Sequence, residues 1–181
     1  RLFLSFDIGV IGEGEQTVTE LLDILGHYGF NKEKLKKING LIFKSDENDD
    51  YLITPPRFRN LHLDSLPRPA FDLLPDLKKY SPPVHTLKKF PACNLVTSRG
   101  CPGQCTFCTR SVYGNLLSYH SAKYMMDLVL WLYNNYGIRE IQFRDDNFTA
   151  FKPRLFEFCE MLKKAKLDLS WTALARVDMV N

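Results

Sequence analysis

From residue 94 to the end of the chain, two hydrophobic periods alternate, and that alternation restricts the fold more than any other feature of the sequence. "NLVTS", "IREIQF" and "LSWTAL" are short β-rich runs and are predicted as strands. Between them the spacing is helical. Met125, Leu128, Val129 and Leu132 fall on one face of a helix that begins near Ser121 and stops at Gly137. Leu155, Phe158, Cys159 and Leu162 fall on one face of the next, with Pro153 suited to its first turn. Strand, helix, strand, helix, strand is the order of a parallel sheet with right-handed crossovers. In such a sheet every loop leaving a strand's C-terminal end emerges on the same side, where α/β proteins bind ligands. The loop after the first strand, "RDDNF" after the second and "ARVD" after the third are therefore expected to be neighbours.

The first of these loops reads "TSRGCPGQCTFC". Gly100, Pro102 and Gly103 let its backbone wrap around a central object, and Cys101, Cys105 and Cys108 offer three sulfur ligands. Structural zinc and iron-sulfur clusters that only carry electrons usually take four protein ligands. Three ligands leave one metal position open. Cys93 is the alternative fourth ligand and would turn the site into a zinc or closed-cluster binding module; it enters a predicted strand, whereas the other three share one loop. Cys159 lies on an apolar helix face and reads as a buried structural thiol. Five cysteines, three of them crowded together, make a poor disulfide framework and point to a metal or redox site in a reducing compartment, so a cytoplasmic location is expected.

Before the cysteines the chain is less regular. "FDIGVIGEGE" reads as a strand running into a glycine-acid turn. Thr17 and Glu20 have capping-box spacing, Val18, Leu21, Leu22 and Leu25 continue as a helix, and Gly26 or Gly29 ends it. "GLIFK", "SDENDD" and "YLIT" read as a hairpin, and the proline-punctuated stretch from Pro55 to Pro91 as a linker packed on its neighbours. With 45% hydrophobic and 25% charged residues the composition is that of a soluble globular protein. The formal charge of +3 is spread out, and "KEKLKK" reads as a solvated face, so nucleic acid is not expected as a partner. No apolar run approaches the roughly 20 residues that span a bilayer, and no membrane partner is expected.

"TSRGCPGQCTFC" resembles the signature of the radical S-adenosylmethionine enzymes. The resemblance implies that Cys101, Cys105 and Cys108 hold a four-iron, four-sulfur cluster whose fourth iron binds the amino and carboxylate groups of S-adenosylmethionine. It places Phe107 near the adenine. The loop after the second strand, Asp145, Asp146 and Asn147, stands where the family often has Gly-Gly-Glu and would meet the methionine amine; either aspartate could instead cap the following helix. Arg176 is matched to the S-adenosylmethionine carboxylate, with a surface salt bridge as the other reading. The activity implied is reductive cleavage to methionine and a 5′-deoxyadenosyl radical, with a small-molecule substrate and an electron donor such as flavodoxin or ferredoxin. No residue is assigned a catalytic role apart from cofactor binding.

The order "VIGEGEQTVTELL", "GLIFK", "LDSLPRPAFDLLP" resembles the lead-in of the cobalamin-binding class of that family. This implies an α/β fold: a partial TIM-like (β/α) barrel over residues 92–181, preceded by the tail of a Rossmann-like cobalamin-binding domain over 1–30, with hairpin and linker over 31–91. Gly12, Glu13, Gly14 and Glu15 become the cobalamin contacts; a helix-leading turn whose acids face the positive helix end is the plain reading. His27 lies beyond the final-strand motif and does not match an axial ligand. The axial-histidine loop Asp-x-His-x-x-Gly is expected upstream of Arg1 and further barrel strands downstream, making the chain the middle of a larger enzyme. "SYHSAKY" stands where relatives often have arginines. The outcome implied is methyl transfer to carbon or phosphorus, or ring-forming or oxidative chemistry on porphyrin-like substrates. A methylthiotransferase shares the Arg-Gly-Cys opening, but such enzymes carry N-terminal cysteines, and none precedes Cys93 here.

Overall fold

A computed structural model of the chain describes residues 6–45, 50–80, 86–109 and 113–180. These fall into two compact units, Arg1–Asn60 and Leu61–Asn181.

In the first unit, strands β1 (Ile8–Val10), β2 (Leu41–Lys44) and β3 (Tyr51–Ile53) form an antiparallel sheet in that order, with Ile8 opposite Phe43 and Ile42 opposite Ile53. The predicted hairpin is present, although residues 46–49 of its turn lie outside the described residues. Helix α1 (Glu15–Tyr28) and the short α2 (Lys32–Leu35) lay Leu21 and Leu35 on Leu41 and Phe43 of β2, so the core is one sheet face closed by two helices. Gly29 ends α1 at φ +63°, its N–H bonded to the Leu25 carbonyl at 3.0 Å. The capping box does not form. The helix begins at Glu15 behind Gly14, which puts Thr17 inside its first turn; the buried Thr17 hydroxyl bonds the Asn39 carbonyl at 3.2 Å and accepts from Arg57 Nε at 2.7 Å. Arg57 also pairs with Glu20, so a long-range arginine has taken both residues that the local pattern assigned to the cap.

The second unit carries a parallel sheet, β4 (Ala92–Leu95), β7 (Glu140–Phe143) and β8 (Ser170–Ala173), in the order β4-β7-β8. Between β4 and β7 the chain adds a two-residue pair, β5 (Ser98–Arg99) and β6 (Ser118–Tyr119), so the predicted "NLVTS" strand is divided: its start belongs to the sheet and its end to this small ladder. Helix α3 (Ala122–Asn135) is capped by Ser121, whose Oγ accepts from the Tyr124 N–H at 3.1 Å, and it buries Met125, Leu128, Val129 and Leu132 as the spacing predicts. Helix α4 (Lys152–Ala165) has Pro153 in its first turn and buries Phe158, which meets Phe143 edge-on at 5.5 Å.

Side chains alternate across the strands. Cys93, Leu95, Ile141 and Phe143 point to the helix-covered side and join the apolar core, whereas the row Asn94, Gln142, Thr172 and the row Glu140, Ser170 face the other way. Part of the proline-rich stretch packs here as expected: Leu63 and Leu77 are buried and the Phe71 ring lies 5.9 Å from Trp131.

Glu140 has no solvent exposure. Its Oε2 accepts the backbone N–H groups of Lys88 and Lys89, both at 2.7 Å, and the Ser170 hydroxyl at 2.8 Å, tying the lead-in of β4 to the start of β8. Burial pushes its pKa up, but the bonds from Ser170, Lys89 and Lys88 outweigh that and hold it below the ordinary 4.5. The charged form therefore stabilises the fold fully above pH 4.5, and this contribution is lost as the pH falls through the lower folded value. Glu140→Gln is expected to cost about 1–2 kcal/mol at pH 7, with the gap to wild type narrowing as the pH drops below 4.5. Urea unfolding followed by the fluorescence of Trp131 and Trp171, both in this unit, measures it.

Candidate functional site

The cysteine loop leaves the sheet through a narrow neck. Ser98 and Arg99 pair with Tyr119 and Ser118, and the His120 N–H bonds the Thr97 carbonyl at 2.9 Å. Gly100 sits at φ +84°, where a Cβ would lie 2.2 Å from the Leu116 carbonyl oxygen, so only glycine closes the neck.

Beneath the neck lies a buried polar brace. Asp145, at the C-terminal end of β7, accepts the Thr97 N–H at 2.5 Å on Oδ1 and the Thr97 and Ser98 hydroxyls at 2.7 and 2.8 Å on Oδ2. Arg154 of α4 approaches the same carboxylate at 3.5 Å, and the two side chains are 4% and 0% exposed. Arg154 also donates to the carbonyls of Thr97 at 3.0 Å and Phe148 at 3.4 Å, and its guanidinium lies 5.5 Å from the ring centres of Tyr119 and Phe148. Of the two aspartates that the sequence left open, Asp145 is thus neither a free ligand group nor a helix cap; it fastens the root of the cysteine loop. Asp146 is exposed and has no partner among the described residues. Asn147 is buried, receiving the Thr149 hydroxyl at 2.9 Å and contacting Met179 Sδ at 3.0 Å.

The three strand-end loops do meet. Besides the Asp145 contacts, the Phe148 N–H bonds the Leu174 carbonyl beyond β8 at 2.9 Å, and Arg176 Nη1 lies 2.7 Å from Cys105 Sγ. Arg176 also grips Asp178 through Nε and Nη2 at 3.0 and 2.8 Å, so the surface salt bridge forms as one of the two readings had it. The bond to Asp178 raises the Arg176 pKa and lowers that of Asp178. Cys101 and Cys105 are half-buried, Cys108 is exposed, and all three are free thiols. The Gly103 N–H points at Cys101 Sγ at 3.4 Å. Among the described residues no three ligand side chains are gathered closely enough to hold a metal ion. Phe107 beside them is 91% exposed, an unusual position for a phenylalanine ring.

Cys93 does not join the group. It is buried on the helix side of β4, where burial pushes its thiol up to about 11, far from thiolate character at neutral pH. Cys159 is half-buried rather than fully buried. In "SYHSAKY", His120 stacks on Tyr124 at 3.9 Å and its Nδ1 lies 3.2 Å from Asp64, while its carbonyl receives Arg154 at 3.5 Å.

In the first unit, Glu13 turns inward: its carboxylate accepts the Asn60 N–H at 2.9 Å and Arg59 Nε at 3.4 Å. Gly14 leads helix α1 and Glu15 opens it, in line with the plain reading of that turn. Gly12 stands apart, at φ +85°, with no atom of the described residues beyond its chain neighbours within 4 Å of where a Cβ would be.

No protein-family model matches the sequence. Over 176 residues, 97% of this chain and 36% of the relative, it is 39% identical to the uncharacterized methyltransferase PH0819 of Pyrococcus horikoshii. Over 174 residues, 96% of this chain and 32% of the relative, it is 29% identical to the anaerobic magnesium-protoporphyrin IX monomethyl ester cyclase of a Synechocystis species. The chain is homologous to these methyltransferases and cyclases. It spans about a third of the length of these relatives. Its fold matches the radical S-adenosylmethionine methyltransferase TsrM of Kitasatospora setae, in one structure with tryptophan and a S-adenosylmethionine analogue (TM-score 0.58) and in another with cobalamin and a [4Fe-4S] cluster (TM-score 0.53). Each match covers 87% of this chain, at 18% identity; the share of TsrM is 28% and 29%.

Arg154 is the residue that the sequence reading missed. A signal was there: it precedes Leu155 and lies four residues before Phe158, a cation on the apolar stripe of an otherwise ordinary amphipathic helix. Arg154→Met leaves Asp145 charged, buried and short of a partner, and is expected to cost about 3–5 kcal/mol. Adding Asp145→Asn to that variant should recover part of the loss, and a double-mutant cycle in urea measures the coupling.

Proposed function

We propose that Cys101, Cys105 and Cys108 hold a [4Fe-4S] cluster in a partial (β/α) barrel, and that S-adenosylmethionine completes its coordination. The observation that carries this reading is the meeting of three strand-end loops beside free thiols, with Arg176 against Cys105. The chemistry of the donor set suits such a cluster: three thiols share one glycine-containing loop, with an amide directed at Cys101 Sγ and a guanidinium at Cys105 Sγ. Once bound and reduced, such a cluster supplies the electron for reductive cleavage of S-adenosylmethionine.

The chain's own residues then divide the work. Asp146, the unengaged carboxylate beside the brace, receives the ammonium of S-adenosylmethionine, and buried Asn147 shapes the same loop. Phe107 offers backbone and ring surface to the adenine. Arg176 keeps N–H donors beyond those on Asp178 and Cys105, which suits a carboxylate. In the first unit the open backbone at Gly12 supports a cobalamin contact, with Gly14 and Glu15 beside it and Glu13 as its anchor. The reaction is methyl transfer or related radical chemistry on a small molecule, with reducing equivalents from a flavodoxin- or ferredoxin-like donor. Cys93 lies in the core, which disfavours the four-thiolate module.

Anaerobic reconstitution with iron and sulfide should give a brown protein whose reduced-state EPR signal changes when S-adenosylmethionine is added. Asp146→Asn should weaken that response about tenfold in affinity without altering iron content. A colourless product, or a signal indifferent to S-adenosylmethionine, would defeat the reading.

A further inference from the structure

The guanidinium of Arg176 is divided between two tasks. Nε and Nη2 are fixed on the two oxygens of Asp178, a fork-to-carboxylate pair that sets the plane of the group. Nη1 is left directed at Cys105 Sγ, 2.7 Å away. The pair is 35% and 56% exposed, so it contributes little to stability; what it does is aim a cation. The cysteine loop is shaped to receive it. At Gly103 a Cβ would stand 2.9 Å from Arg176 Nη1 and 3.3 Å from Cys101 Sγ, so the missing side chain leaves room for the tip of the guanidinium that reaches Cys105.

We infer that Arg176, aimed by Asp178 and admitted by Gly103, is a positioning residue that makes a cluster on these thiolates easier to reduce. The inference rests on the cluster reading above. One-electron reduction of a [4Fe-4S]²⁺ centre to the 1+ state, by an external reductant, adds a negative charge to a site whose three thiolates are already negative. A fixed cation and a hydrogen bond to a ligating sulfur favour the more negative state, and both raise the reduction potential. The role is separate from any contact with S-adenosylmethionine and acts before that molecule binds.

The test uses the whole chain, reconstituted anaerobically and titrated with dithionite under EPR without S-adenosylmethionine. Arg176→Gln should lower the midpoint potential. Asp178→Asn, which frees the guanidinium, and Gly103→Ala, which displaces its tip, should shift it the same way by less, and Arg176→Lys should restore part of the wild-type value. Lys163→Gln, the loss of an exposed charge on α4, is the control for net charge and should leave the potential in place. Iron content and the fluorescence-detected unfolding midpoint should be unchanged throughout. If Arg176→Gln matches Lys163→Gln in potential while binding S-adenosylmethionine more weakly, Arg176 serves the ligand alone and the inference fails with the cluster reading intact. If the wild-type chain takes up no cluster, both fail together.

Discussion

A carboxylate with no solvent exposure persists only where its charge is answered, and Asp145 is answered by an amide, two hydroxyls and a guanidinium. A parallel sheet delivers its loops to one side but does not join them. Here the joining is done by this brace: Asp145 belongs to the end of β7, Thr97 and Ser98 to the exit of β4, and Arg154 to the helix that follows. Because Thr97 is held through its N–H, hydroxyl and carbonyl, the residue that launches the cysteine loop has no freedom to turn.

The same device recurs in the first unit on a smaller scale. Glu13 accepts the Asn60 N–H, and Arg57 spans Thr17 and Glu20, so the turn before α1 is fastened to the segment that ends the unit. The acidic turn that the resemblance matched to cobalamin contacts is therefore partly structural. A side chain spent on the protein's own backbone cannot also meet a ligand, which leaves the bare backbone around Gly12 as the surface open to one.

The sequence was legible where the determinants are local. Ser121 caps α3, Pro153 opens α4, and the stripe from Met125 to Leu132 is buried, because each depends on neighbours within a turn or two. The convergence of the three loops followed from strand order alone. What the sequence hid depends on partners 40 or more residues away: Thr17 is taken by Arg57, Asp145 by Thr97 across 48 residues, and Cys105 meets Arg176 across 71. The capping box failed for this reason. Thr17 and Glu20 have the spacing, but spacing does not state whether a distant arginine will claim the hydroxyl and the carboxylate. Which of two adjacent aspartates turns inward is likewise settled by what lies across the sheet.

Whether Cys93 can join the three thiols of the loop reduces to the parity of one strand. Cys93 and Leu95 share the helix-facing side of β4 because alternate residues share a face, and the register with β7 sets Cys93 opposite Ile141. Turning Cys93 toward the other side would need a one-residue slip, which would carry exposed Asn94 into the apolar core and Leu95 out of it. An amide without partners in that core costs a few kcal/mol, comparable to what the burial of one leucine contributes, so the slip loses on both counts. A ligating sulfur must also ionise, and the surroundings that bury Cys93 oppose ionisation. The fold thus separates the four cysteines of this region by environment, one thiol packed in the core and three on the loop beyond the neck.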